Sequence, residues 1–395
     1  MHSGVFIMSG LFSVYRCYFS RVERRYRRVD KAVKTRHDRE KRCQDMSKKP
    51  RQKLRPTMAD VAREAGVSLS TVDRVLNLRA DARTDTAQRI AAAAALLGFH
   101  AKGVIEQRIL NDKPTVRLGF LLQKSGVAFY KGLAQALSNA AATFTRARVQ
   151  VVIGYLDDLD PATVAQRLLA LGDQVDGVGM VAVDHPRVRD AVASLQVAGV
   201  PVVALISELA GLGSASYVGV DNRLMGRTAG WFVTRLARSP GSAAVMVSSQ
   251  RFQCQELCEM SFRSYLSSHS TDWELLASRL TLEDDDFAYG NALDLLSGEP
   301  ELSALYVAGG GVAGVLCALR ELKQQQIRLP VVVCHDLTPL TREALKADLV
   351  QVVLSHPIVQ MAEQTVRTLV AASSDLTLVD RVTVPIQIDV SESIA

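Results

Sequence analysis

The sequence predicts a small all-α unit carrying a helix-turn-helix, followed by a larger α/β body of doubly wound parallel sheets. Three observations predict it. Residues 56–77, PTMADVAREAGVSLSTVDRVLN, read as two short helices joined at one glycine. From Val116 onward, apolar runs alternate with helical stretches, the pattern of buried parallel strands linked by crossover helices. A charge shift separates residues 1–55, with 17 Lys and Arg against 5 Asp and Glu, from a body in which acids outnumber bases.

Residues 1–54 form a basic extension with no apolar face. They read either as disordered chain upstream of a start at Met46, or as an arm that tracks phosphates. The apolar run from Val5 to Phe12 is too short to span a bilayer, and its basic residues follow rather than precede it, so it makes a poor export signal. The six cysteines show neither a disulfide framework nor paired metal spacing, which suits a reducing cytoplasm.

Within 56–77, Thr57 is an N-cap with Asp60 three residues on, a capping-box arrangement. Val61, Ala62 and Ala65 fall on one apolar edge, and Gly66 ends the helix. Ser68 caps the next helix, where Val72, Val75 and Leu76 face inward and Leu69, Ser70, Asp73, Arg74 and Asn77 face out. A helix read in a DNA groove needs this layout of apolar seam inside and hydrogen-bonding groups outside. Residues 84–97 form a third helix, and 102–113, KGVIEQRILNDK, connect to the α/β body.

The strands of that body are VRLGFLL, VQVVIGY, VDGVGMVAV, VPVVALI, AAVMV, ALYVAG and PVVVCHD, with helical segments between them. Ligands of such folds gather outside the carboxyl ends of the strands. No Ser-His-Asp or Cys-His arrangement is legible, so no catalysis is expected, and no cofactor or metal. GGGVAG at 309–314 lacks the Lys-Ser/Thr ending of a phosphate loop. Cys254 and Cys258 read as two thiols on one helix face. EDDD at 283–286 reads as a solvated loop, with a cation site as its alternative.

AREAGVSLSTVDRVLN resembles the DNA-binding headpiece of the lactose-repressor (LacI) family, whose usual string runs close to DVAxxAGVSxxTVSRVLN. Asp73 stands where that family commonly has Ser. YVGVDNRLMGRTAGWFVTRL is similar to the family's xVGxDNxxxGxxAxxxL in an effector domain of the periplasmic sugar-binding type. The resemblance implies a headpiece over 55–101, a hinge over 102–113 and a two-lobed, Rossmann-like effector-binding and dimerisation domain over 114–395. It implies a transcription regulator, a repressor that binds a pseudo-palindromic operator in double-stranded DNA as a homodimer or higher oligomer and responds to a sugar, polyol or related molecule. A solute receptor without DNA function is the alternative.

On the DNA side, Leu69, Ser70 and Arg74 would face bases. Thr57, Ser68, Thr71 and Asn77 would position the backbone, and Arg108, aligned with the family's minor-groove wedge leucine, would enter the minor groove. On the ligand side, Phe129 and Tyr130 follow the first strand, Asp184 and His185 the third, and Asp336 ends PVVVCHD, matching the family's acid that takes two sugar hydroxyls. Ser355 and His356 stand where relatives have a ligand-contacting Gln. Cys258 replaces the family's ligand-clamping Arg, and Arg251 is expected to take over that role. The family's Asn-Asp after the next strand is replaced by AGGGVAG.

Overall fold

The computed structural model describes residues 56–77, 84–100, 113–210, 215–269 and 272–394. They fall into two compact units, those before residue 110 and those after it. The extension over 1–54, most of the connector and Arg108 lie outside the described residues.

The first unit is three helices, α1 (Met58–Ala65), α2 (Leu69–Asn77) and α3 (Thr84–Leu97). The capping box forms as expected. The Asp60 N–H donates to Thr57 Oγ1 at 3.3 Å, and the Thr57 N–H donates to Asp60 Oδ2 at 3.0 Å. Gly66 ends α1 with φ at 63°, a left-handed conformation that side chains resist. Arg89 of α3 donates to the carbonyl of Ala65 at 2.6 Å, satisfying an acceptor that the end of α1 leaves open. Val61, Ala65, Val72, Val75, Ile90, Ala94 and Phe99 close over one core.

The second unit holds two sheets. The first is built from β1 (Thr115–Gln123), β2 (Arg148–Leu156), β3 (Gly177–Met180), β4 (Val202–Leu205), β5 (Ser216–Val220) and β12 (Arg381–Val384), in the order β12-β5-β4-β3-β1-β2. The second is built from β6 (Ser242–Val247), β7 (Glu274–Leu275), β9 (Leu302–Val307), β10 (Val331–His335), β11 (Val352–Ser355) and β13 (Gln387–Asp389), in the order β13-β11-β10-β9-β6-β7. The short β8 (Arg279–Leu280) also pairs with β6. All these pairings are parallel except β11 with β13.

Helices cover both faces of each sheet. On the first lobe they are α4 (Ala128–Thr143), α5 (Pro161–Gly172), α6 (Pro186–Val197) and α12 (Ile358–Ser374), the last packing on α4 and on strands β1 and β3 to β5. The second lobe carries α7 (Asn222–Leu236), α8 (Gln253–His269), α9 (Asp285–Gly298), α10 (Val312–Gln324) and α11 (Pro339–Lys346). Several helices start on a side-chain cap followed by proline, as at Asp160-Pro161, His185-Pro186 and Thr338-Pro339, where the missing N–H costs nothing.

The chain passes between the lobes three times: after β5, after β11, and between β12 and β13. One apolar core runs continuously through the crossing region, from Phe120, Leu137 and Val218 to Val247, Phe262, Tyr306 and Leu354. Separate clusters fill the outer face of each lobe. No helix among the described residues is long and apolar enough to cross a membrane.

Candidate functional site

The outer edge of α2 carries the residues expected to meet DNA. Leu69 is 50% exposed, and Ser70 and Arg74 are exposed beside it, with Arg74 Nε 3.4 Å from the Ser70 carbonyl. Ser68 caps the helix by accepting from the Thr71 N–H at 3.2 Å. Its hydroxyl also lies 2.8 Å from that of Ser70 and 2.7 Å from that of Thr71. Three hydroxyls thus cluster on a helix N-terminus, a favourable place for a phosphate oxygen. An exposed leucine beside a guanidinium suits a thymine methyl next to a guanine edge. The Thr57 hydroxyl donates to Asp60 at 2.7 Å, so its side chain serves the cap of α1. Asn77 ends α2, and its side chain lies outside the described residues.

In the second unit, a cavity of about 700 Å³ lies between the lobes at the carboxyl ends of the strands. Lys124, Phe129 and Tyr130 come from the end of β1 and the first turn of α4, and Asn222 from the crossing after β5. Cys254, Gln255 and Cys258 come from the start of α8, and His335, Asp336 and His356 from the ends of β10 and β11. Asp157, Glu283, Asp285 and the Gly309–Gly311 turn complete the wall. Phe129, Tyr130, Cys258, Asp336 and His356 are therefore brought together.

Asp336 has φ at 64°, a strained conformation for a side chain other than glycine, and it sets the carboxylate at the lip of β10. Asp336 Oδ1 accepts from both the backbone N–H and Nδ1 of His356, each at 2.9 Å. Beneath them, His335 Nε2 lies 2.6 Å from the Tyr306 hydroxyl. Burial works to raise the Asp336 carboxyl, but the charge and hydrogen bonds of His356, together with His335, outweigh it and hold the carboxyl below the usual range. Burial lowers His335 to about 4 despite the attraction of Asp336. Burial likewise pushes Cys254 up to about 12 and Cys258 higher still, so both are inert thiols rather than nucleophiles. Cys258 supplies bulk where an arginine was the expected clamp, and its Sγ lies 3.3 Å from the Asn222 carbonyl.

Four ligand-side expectations fall elsewhere. Asp184 accepts from the Ala210 N–H at 3.2 Å and pairs with Arg189, which fastens one surface loop. His185 accepts from the Arg187 N–H and caps α6. Arg251 is exposed and joins the same loop through its carbonyl, which accepts from the Asp184 N–H at 2.9 Å. None of the three lines the cavity, so Arg251 does not replace the missing clamp. Ser355 donates to Asp389 at 3.0 Å and accepts from the Leu337 N–H, lacing β11 to β13 beside an adjoining cavity of about 500 Å³.

In EDDD, Asp284, Asp285 and Asp286 are exposed, as expected of a solvated loop, and the correction concerns Glu283. Glu283 is only 8% exposed and lines the cavity, Asp284 caps α9 by accepting from the Phe287 N–H at 2.8 Å, and Asp285 also lines the cavity. Lys124 reaches across from the first lobe and donates to the Glu283 carbonyl at 2.7 Å. A Cβ on Gly310 would overlap the Glu283 carboxyl, so the glycine turn makes room for that side chain. The signal in the sequence was the conjunction of an acid before a helix cap with three consecutive glycines.

Residues 118–375 match the family model described as a periplasmic binding protein domain, and residues 57–102 match that of bacterial regulatory proteins of the lacI family. A protein of Priestia megaterium named catabolite control protein A is 29% identical over 155 residues, 38% of this chain and 43% of that protein. One of the same name from Streptococcus mutans is 29% identical over 122 residues, 31% of this chain and 35% of that protein. The chain thus spans less than half the length of the curated relatives it matches. Among solved structures, an ABC transporter solute-binding protein from Burkholderia graminis in complex with D-arabinose gives a TM-score of 0.65 at 17% identity, over 71% of this chain and 97% of that one. Another from Bacillus halodurans with bound myo-inositol gives 0.63 at 17% identity, over 71% and 96%. These two likenesses are of fold. The chain belongs to the periplasmic binding protein domain family, and ahead of that domain it carries the DNA-binding domain of the lacI family of bacterial regulatory proteins.

Proposed function

We propose that this protein is a ligand-responsive transcription regulator, a repressor that binds a pseudo-palindromic operator as a dimer and releases it when a small polyhydroxy molecule fills the cleft. The observation that carries this reading is the presence in one chain of a helix with an exposed base-reading edge and a cleft lined by a carboxylate–histidine pair. Leu69, Ser70 and Arg74 read bases, while Ser68, Thr71 and Asn77 hold the backbone and Arg108 enters the minor groove. The protein acts in the cytoplasm, without catalysis and without a cofactor. The headpiece covers 55–101, the hinge 102–113 and the effector-binding and dimerisation domain 114–395.

Relatives named catabolite control protein A, and sugar and cyclitol ligands in structures of the same fold, support this reading. Ligand binding works by shifting the balance between two lobe arrangements of unequal operator affinity. The test is a footprint on the DNA flanking the protein's own gene at physiological salt, with and without candidate effectors. A protected pseudo-palindrome is expected. Uniform salt-sensitive binding with no protected site would leave a solute receptor as the better reading.

A further inference from the structure

The lining of the cleft is acidic. His356, in that lining, is 5% exposed at its side chain, and its Nε2 is buried without a hydrogen-bond partner. Its Nδ1 faces a carboxylate oxygen of Asp336, which only accepts, so Nδ1 carries a proton. Beside it stand the carboxylates of Asp336 and Glu283, with Asp157 and Asp285 at the rim.

Several donors of the same lining each make a bond to the protein, and the Ser125 and Tyr130 hydroxyls line it as well. Lys124, the one ammonium among the described residues of the lining, donates to the Glu283 carbonyl at 2.7 Å. The Asn222 amide donates to the Ile206 carbonyl at 3.2 Å, and the Gln255 amide to the Ser248 hydroxyl at 2.6 Å. The Thr341 hydroxyl donates to the Asp336 carbonyl at 2.8 Å. A carboxylate or phosphate ligand would meet four carboxylates in this lining against the one ammonium of Lys124.

We infer that the effector is a cationic polyhydroxy compound, an amino sugar or amino-polyol, whose ammonium rests on Glu283 and whose hydroxyls donate to Asp336. This rests on the proposed reading of the cleft as the effector site and narrows its ligand. The surroundings of Glu283 suit it to a cation. The glycine turn clears the space its carboxyl occupies, and the Gln255 carboxamide holds the neighbouring Ser248 N–H at 2.7 Å. Burial pushes the Glu283 carboxyl up, with Ser248, Lys124 and Gly310 opposing; a cation beside it restores the ionised form. An ammonium has three donors and no acceptor, the complement of this wall. A metal ion is a poorer match, since no three His, Cys, Asp or Glu side chains among the described residues converge to hold one.

The test uses the full chain and matched pairs of ligands: glucosamine with glucose, galactosamine with galactose, mannosamine with mannose, and glucamine with sorbitol. Putrescine serves as an amine without hydroxyls. Calorimetry and thermal shift are read at about pH 6.5, where amines whose basicity the neighbouring oxygens lower are mostly charged. At least one amine is expected to bind about ten- to a hundredfold tighter than its neutral parent, the span of a charge-assisted hydrogen bond. Glu283→Gln is expected to bring that ratio close to one. Should Glu283→Gln fold poorly, Gly310→Ala, which displaces the same carboxyl, gives the same readout, and the wild-type ratios stand by themselves.

Equal or tighter binding of the neutral parents overturns the inference, as does the absence of binding by every amino compound. Putrescine binding as tightly as the best amino sugar also overturns it. Operator footprinting is run on the same preparations. Loss of a footprint counts against the regulator reading and leaves the ligand ratios to be judged on their own.

Discussion

His356 Nδ1 lies 2.9 Å from Oδ1 of Asp336, and the same oxygen accepts the backbone N–H of His356 at the same distance. One carboxylate oxygen therefore fixes both the peptide and the ring of the residue that begins the second crossing between lobes. Asp336→Asn keeps an oxygen that can accept both of those bonds but removes the charge of the cleft floor and the second oxygen. It should weaken effector binding by about ten- to a hundredfold, the cost of a hydrogen bond to a charged group. Operator binding without effector should be unchanged. Paired calorimetry and gel shift check this.

Acid should destabilise the second unit through His335. Its folded value of about 4 lies below its ordinary 6.5, so the unfolded chain binds the proton first. The neutral, buried ring costs nothing above pH 6.5, and stability falls as pH drops from 6.5 towards 4, by about 3 kcal/mol at the end of that window. Asp336, held low, loses its contribution only below 3.8, and Glu283, held high, works in the opposite sense. Urea unfolding of wild type and His335→Gln between about pH 7 and pH 4.5 isolates the histidine: the variant's stability should fall less steeply.

Gly226 of α7 packs on the backbone of α8 at Cys258, where an added Cβ would overlap the carbonyl. The neighbour is main chain and cannot swing aside. Gly226→Ala should therefore cost about 1–3 kcal/mol, the usual range for overpacking, and more if the helices are pushed apart. A drop in urea midpoint with an unchanged slope would confirm it.

Arg74→Ala should reduce discrimination between operator and altered sequence by about 1–3 kcal/mol, while total affinity for random DNA changes less. Competition gel shifts with single-base operator variants measure both. Equal loss on all sequences would place Arg74 on phosphates.

The first unit was legible nearly residue by residue because its signals are local. The Thr57–Asp60 box, the left-handed Gly66 and the Ser68 cap each involve neighbours within one turn. Most strands were legible from their apolar runs. The partners of β12 and β13 were not, since Arg381 meets Tyr217 and Asp389 meets Val353 across long stretches of chain. In the cleft, Asp336 could be found because it ends a legible strand, and His356 through the resemblance, since β11 was not among the strands read from the sequence. Glu283 could not: an acidic run looks solvated until the glycine turn is seen to enclose it. Asp184 and His185 show the converse, polar residues after a strand that serve their own loop.

The triple crossing between lobes also sets an order of events during synthesis. The three-helix headpiece has all its partners within a short stretch of chain and folds as soon as it leaves the ribosome. The first lobe must wait, because α12 and β12, which cover and extend its sheet, are made only after all of the second lobe but β13. The sheet edge at β5 therefore stays open while the second lobe is made, the state in which strands pair wrongly. A nascent chain stalled before Arg381 would display a finished DNA-reading helix on an unfinished body, and chaperone demand should concentrate there.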